Sequence, residues 1–146
     1  MSDTYGKSIQ LGASRRRLED AEVLHENGRC IGAMYIGGYA VECSLKALIC
    51  HQERVLNLKD TQTYKKILQG YDLHNLSLLL GAIPSLQRAI NLDKTGQYKR
   101  AWKTVTSVWL SGDLRYSKHN GTASDSRPFV ESVKVLHKFI LERMGE

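Results

Sequence analysis

At 146 residues the chain is of single-domain length and can bury a hydrophobic core without metals or disulfides. Three cysteines with no CxxC or Cys/His ligand spacing argue against a disulfide framework or a zinc site, and for reduced thiols in the cytoplasm. A net charge of +6 permits an anionic partner, the first residues lack the apolar segment of a secretion signal, and two prolines with almost no β-branched alternation point to an all-α fold.

Residues 1–7 carry no periodic pattern and are expected to fray. From about Ser8, Leu11, Leu18, Ala21 and Leu24 or His25 form one apolar line with Arg15, Arg16, Arg17, Glu19, Asp20 and Glu22 off it, which predicts an amphipathic helix. Asn27 and Gly28 end it, with Gly28 in the position where a left-handed residue is usual. A second helix follows at once and runs to about Glu53, so the first two helices are expected to be antiparallel neighbours. Its sequence from Gly28, GRCIGAMYIGGYAVECSLKALI, is apolar around most of the cylinder and reads as the central element of the fold. The apolar run from Cys30 to Val41 is too short to cross a bilayer, which takes about 20 residues. Gly37 and Gly38 each cost about 1 kcal/mol relative to alanine, which predicts close approach of another backbone. Cys43 and Cys50 read as small core residues. Glu42 and Lys46 stand four apart with the acid first, suited to pairing with each other at an edge, or to a polar site that Glu42 enters.

The stretch 54–71 reads as a connector with a helical turn near Tyr64 to Gln69. Asp72 is expected to cap a short helix from Leu73 to Leu80, with Leu73, Leu76, Leu79 and Leu80 inward. Gly81 and Pro84 punctuate the chain before another short helix carrying Leu86, Ala89 and Ile90. From Thr95 to Leu110, Tyr98, Trp102, Val105 and Trp109 form a stripe suited to a core or a dimer interface. Residues 111–127 read as an exposed loop, and Ser126 is expected to cap the last helix with Pro128 near its first position. Val130, Val133, Leu136 or His137, Ile140 and Leu141 then face inward. The product is an up-and-down bundle of four principal helices plus short ones.

The segment WLSGDLRYSKHNG, Trp109 to Gly121, gathers Asp113, Arg115, Tyr116, Lys118, His119 and Asn120 between two long helices. Arg115 can hold a phosphate through two hydrogen bonds and His119 can move a proton near neutral pH, a pairing suited to metal-independent RNA cleavage. The plainer alternative ties Arg115 and Asp113 to a helix end and leaves His119 in solvent. His25, His51, His74 and His137 are scattered, which predicts no metal centre. Arg15, Arg16 and Arg17 make a basic patch, read first as a solvated face, which Lys99, Arg100 and Lys103 can extend toward a nucleic-acid surface.

Three stretches, ENGRCIGAMYIGGYAVECSLKALI, LHNLSLLL and WLSGDLRY, give the chain its resemblance to the HEPN domains (higher eukaryotes and prokaryotes nucleotide-binding). The resemblance implies a four- to five-helix bundle, often a homodimer, with the last two helices and a polar residue of the second helix around a shared cleft. It implies no cofactor. Active members are metal-independent ribonucleases with an arginine, four to six intervening residues and then a histidine. The arginine falls on Arg115; His119 follows after only three residues, and the four-residue spacing lands on Asn120. Glu42 matches the polar position of the second helix.

The resulting expectation is one HEPN-like domain over 1–146, a cytoplasmic homodimer with no membrane span, that binds RNA or a nucleotide in a toxin–antitoxin or phage-defence setting. Arg115 would engage phosphate, assisted by Lys118, His119 and Asn120, with Tyr116 stacking or packing and Glu42 orienting Arg115. Two alternatives stand beside it: an endoribonuclease toxin using Arg115 and His119, and a structural partner of a small nucleotidyltransferase in which Trp102 and Trp109 face the other protein.

Overall fold

A computed structural model describes residues 3–109, 114 and 121–146. All its principal elements are helices: α1 (Lys7–Glu26), α2 (Cys30–Glu53), α3 (Leu76–Gly81), α4 (Pro84–Leu92), α5 (Gln97–Val108) and α6 (Ala123–Glu142). Short 3-10 and π turns at Leu58–Asp60 and Tyr64–Leu68 punctuate the stretch between α2 and α3. No strand occurs among the described residues, and none of their helices is long and apolar enough to cross a membrane.

The α1–α2 turn forms as its residues dictate. Asn27 closes α1 by donating its backbone N–H to carbonyls of the last turn, and Gly28 follows with φ of +73°, where a side chain would be strained. α1 then folds back along α2, whose Ala33, Ala40, Val41, Leu45, Ala47 and Leu48 are fully enclosed. α6 lies on another side of α2 and contributes Phe129, Val133, Leu136 and Ile140 to the same core. Each of these larger side chains contributes roughly 1.5–3 kcal/mol by leaving water.

The glycines of α2 admit side chains rather than a neighbouring backbone. Gly37 faces the Phe129 ring, and Gly38 lies directly beneath the indole of Trp109, where a β-carbon would overlap the ring. Residues 3–7, expected to fray, are joined to the connector: Lys7 donates its N–H to the Leu56 carbonyl, and Leu58 donates to that of Tyr5. Glu53 draws in the middle of the connector by accepting from the backbone of Gln62 and Thr63 and from the Thr63 hydroxyl.

Two helix starts differ from expectation. Asn75, not Asp72, caps α3 by accepting from Leu78 N, while Asp72 accepts from His74 N in the preceding turn. Leu76, Leu79 and Leu80 are buried as expected, and Leu73 is only half-buried. α6 begins three residues before Ser126, because Asp125 accepts from both the backbone N–H and the hydroxyl of Thr122. Pro128 therefore falls inside the helix, and Ser126 is enclosed within the bundle. Pro84 does start α4, and Leu86 and Ile90 form its buried side.

α1 and α6 meet through two reciprocal serine–histidine pairs. Ser14 Oγ lies 3.0 Å from His137 Nε2, and Ser126 Oγ lies 2.7 Å from His25 Nδ1. The members stand eleven residues apart on each helix, about three turns, so the helices run antiparallel in a fixed register. Ser14 donates its hydroxyl proton to the Leu11 carbonyl, leaving its oxygen to accept from His137. Burial, reinforced by the nearby charge of Arg15, lowers the His137 pKa to about 4.

The unfolded chain, in which this imidazole ionises near 6.5, therefore binds more protons than the fold does between that pH and about 4. Stability is expected to be full above neutrality and to fall as the pH drops through this window, by up to about 3 kcal/mol from this residue. Urea unfolding across pH 4 to 7 checks it, with a shallower slope expected for His137→Gln.

Candidate functional site

Tyr35, Tyr39, Glu42 and Lys46 stand at spacings of four, three and four along α2, so they share one face of the helix. At the centre is Glu42, whose side chain is only 4% exposed. Lys46 Nζ reaches its Oε2 at 2.9 Å, and His74 Nδ1 lies 2.8 Å from its Oε1. The Glu42–Lys46 pair thus forms as its spacing suggests, but in the interior instead of at an edge. A pair taken out of water needs its remaining hydrogen-bonding capacity met, and His74 satisfies the second carboxylate oxygen.

His74 is the cluster's link to solvent, with half of its side chain exposed. It is held from three sides: its N–H by Asp72, its Nδ1 by Glu42, and its ring edge-to-face with Tyr39 at 5.8 Å between centroids. A carboxylate on Nδ1 orients the imidazole and favours the tautomer with Nε2 unprotonated, an arrangement suited to taking up a proton from a bound hydroxyl.

Trp109 closes the other side of the stripe. It ends α5, donates Nε1 to the Tyr35 carbonyl at 2.9 Å, and packs edge-to-face with Tyr39 at 5.1 Å. Gly121, with φ of +72°, sits against Ile31 and Cys30. Both residues that bracket 110–120 therefore rest on the first half of α2, and Arg115 is six positions from each in sequence. Arg115, Tyr116, Lys118, His119 and Asn120, like Asp113, lie outside the described residues. Of the expected site residues, Glu42 is the one the structure describes.

Trp109 is buried within its own chain, which removes it from the expected interface with another protein; Trp102 remains half-buried. Within the basic patch of α1, Arg15 pairs with Glu146 and Arg17 with Asp20, in keeping with a solvated face. Burial pushes the thiols of Cys43 and Cys50 up to about 11, so neither is an activated nucleophile at neutral pH. Among the described residues no group of three or more His, Cys, Asp or Glu is arranged to hold a metal.

Sequence reasoning missed His74 and the two tyrosines. The signal was the 4-3-4 spacing of polar and aromatic residues within an otherwise apolar helix; nothing local marks His74, which reaches Glu42 across 32 residues of chain.

Glu42→Leu leaves the Lys46 ammonium buried without its carboxylate partner and is expected to lower stability by about 3–5 kcal/mol in urea unfolding. Glu42→Leu combined with Lys46→Met is expected to regain most of that loss, because neither charge is then stranded. No family model, curated protein or solved structure matches this chain, so a functional reading rests on the residues gathered along this face of α2.

Proposed function

We propose that the chain is a HEPN-like nucleotide- or RNA-binding protein, a cytoplasmic homodimer working in a toxin–antitoxin or phage-defence setting. One observation carries this reading: the half-exposed, carboxylate-held His74 sits on the same α2 stripe where Trp109, one bracket of the Arg115 segment, is seated. Arg115 engages the phosphate with Lys118, His119 and Asn120 assisting, and Tyr116 stacks or packs beside it. The net charge of +6 supports an anionic ligand.

A second reading, metal-independent RNA cleavage, is favoured by the Glu42–His74 pair itself. An imidazole backed by a carboxylate can deprotonate a 2′-hydroxyl while an arginine stabilises the charge developing on phosphorus. In this reading His74 joins Arg115 and His119 as a candidate for proton transfer.

One experiment addresses both, using purified protein with single-stranded RNA and, separately, free nucleotides in EDTA. Salt-sensitive RNA binding that weakens at least tenfold in Arg115→Ala, without cleavage, supports the binding role. Cleavage in EDTA that disappears in Arg115→Ala and in His74→Ala supports the enzyme. Folded protein that neither binds nor cleaves RNA or nucleotides overturns the proposal.

A further inference from the structure

A cleft of about 550 Å³ lies between α4 and α5 and shares no lining residue with the Glu42 cluster. Its size falls within the range of small-molecule sites, roughly 300–1,000 Å³. Three cations line it, Lys99, Arg100 and Lys103, together with the half-buried Trp102 and the carboxamides of Gln87 and Asn91. Leu80 and Ile90 supply its buried apolar floor.

Among the described residues no acid lines the cleft, and none of its three cations forms an ion pair. Asp93, the nearest acid in sequence, accepts from the Thr95 hydroxyl at 2.6 Å. Lys99 and Lys103 are four residues apart and Arg100 and Lys103 three, so like charges are neighbours on one helical surface and repel each other. On α1, by contrast, two of the three clustered arginines have a carboxylate partner. Arg100 is also held in place, donating Nη1 to the Thr95 carbonyl at 3.0 Å, which leaves further guanidinium donors for an anion.

We propose that this cleft is a nucleotide-binding site. Trp102 offers a face on which a base stacks, as aromatic side chains do in single-strand binding proteins. Lys99, Arg100 and Lys103 hold the phosphates, and the ligand's negative charge relieves their mutual repulsion. Gln87 and Asn91, four residues apart on α4, present donors and acceptors to the base edge. The chemistry recognised is a nucleoside phosphate, either free or within single-stranded RNA. This site goes beyond the Arg115 reading and does not depend on it, since the two are tested by different substitutions.

Tryptophan emission provides the test, with metal-free ATP and a short single-stranded oligoribonucleotide as probes and inorganic phosphate as the control. The expected result is saturable quenching by a nucleotide probe at up to about 1 mM, not by phosphate, lost in Trp102→Phe. Lys99→Gln with Lys103→Gln is expected to weaken the apparent affinity at least about tenfold, with folding checked by circular dichroism. Quenching by both probes assigns free mononucleotides as sufficient ligands; quenching by RNA alone assigns nucleotides within a chain. The proposal is overturned by the absence of saturable quenching with either probe, by quenching that persists in Trp102→Phe and so reports Trp109, or by an affinity unchanged in the double lysine variant.

Discussion

The seating of Trp109 on Gly38 is the contact on which the arrangement of this molecule depends. Removing the side chain from position 38 opens a shallow depression in α2, and the indole fills it so closely that no β-carbon fits beneath. Its N–H finds the Tyr35 carbonyl, so a large apolar ring is buried without orphaning its one polar group. α5 ends at this point, and the end of one helix is thereby fixed to the middle of another. Tyr39 continues the contact: it meets Trp109 on one side and His74 on the other, both edge-to-face. A run of three rings thus links the end of α5, the central helix and the turn before α3. The helix propensity forgone at Gly38, about 1 kcal/mol, is offset by this packing.

Around that seat the protein uses buried polar groups to select one arrangement of its helices. Glu42 and Lys46 are enclosed among apolar neighbours, where a charge pair is a poor source of net stability but a strong penalty on any arrangement that separates its members. His74 completes the carboxylate's hydrogen bonding and thereby fixes the turn before α3. The serine–histidine pairs between α1 and α6 act in the same way, since sliding either helix by one residue breaks both. Apolar packing makes the bundle compact; these groups decide its register.

Where local chemistry decides the structure, the sequence is readable. Gly28 terminates α1, Pro84 begins α4, and the almost unbroken apolar surface of α2 marks it as central. The Thr122–Asp125 capping box is equally local, but the polar composition of 111–127 reads as a loop and points to Ser126 for the cap that Thr122 holds. Phe129 follows Pro128, and a helix start at Ser126 masks its place in the core, although it is among the largest fully buried side chains. Long-range partners leave weaker traces. Two adjacent glycines in a buried helix announce a close approach, yet nothing in them specifies an indole 71 positions away in sequence. Glu42 could be recognised as an acid in an apolar helix, while its second partner, His74, comes from a turn whose position only the folded chain determines.

The two tryptophans distinguish this account from a generic helical bundle. Hydrogen exchange of the two indole N–H groups, followed by nuclear magnetic resonance, tests it most directly. With Nε1 of Trp109 bonded to the Tyr35 carbonyl and the ring enclosed over Gly38, its indole proton is expected to exchange at least about a hundredfold more slowly than that of the half-buried Trp102. Equal and rapid exchange of both would mean that Trp109 is not seated on α2, and the placement of the Tyr39, Glu42 and His74 cluster beside it would fall with that result.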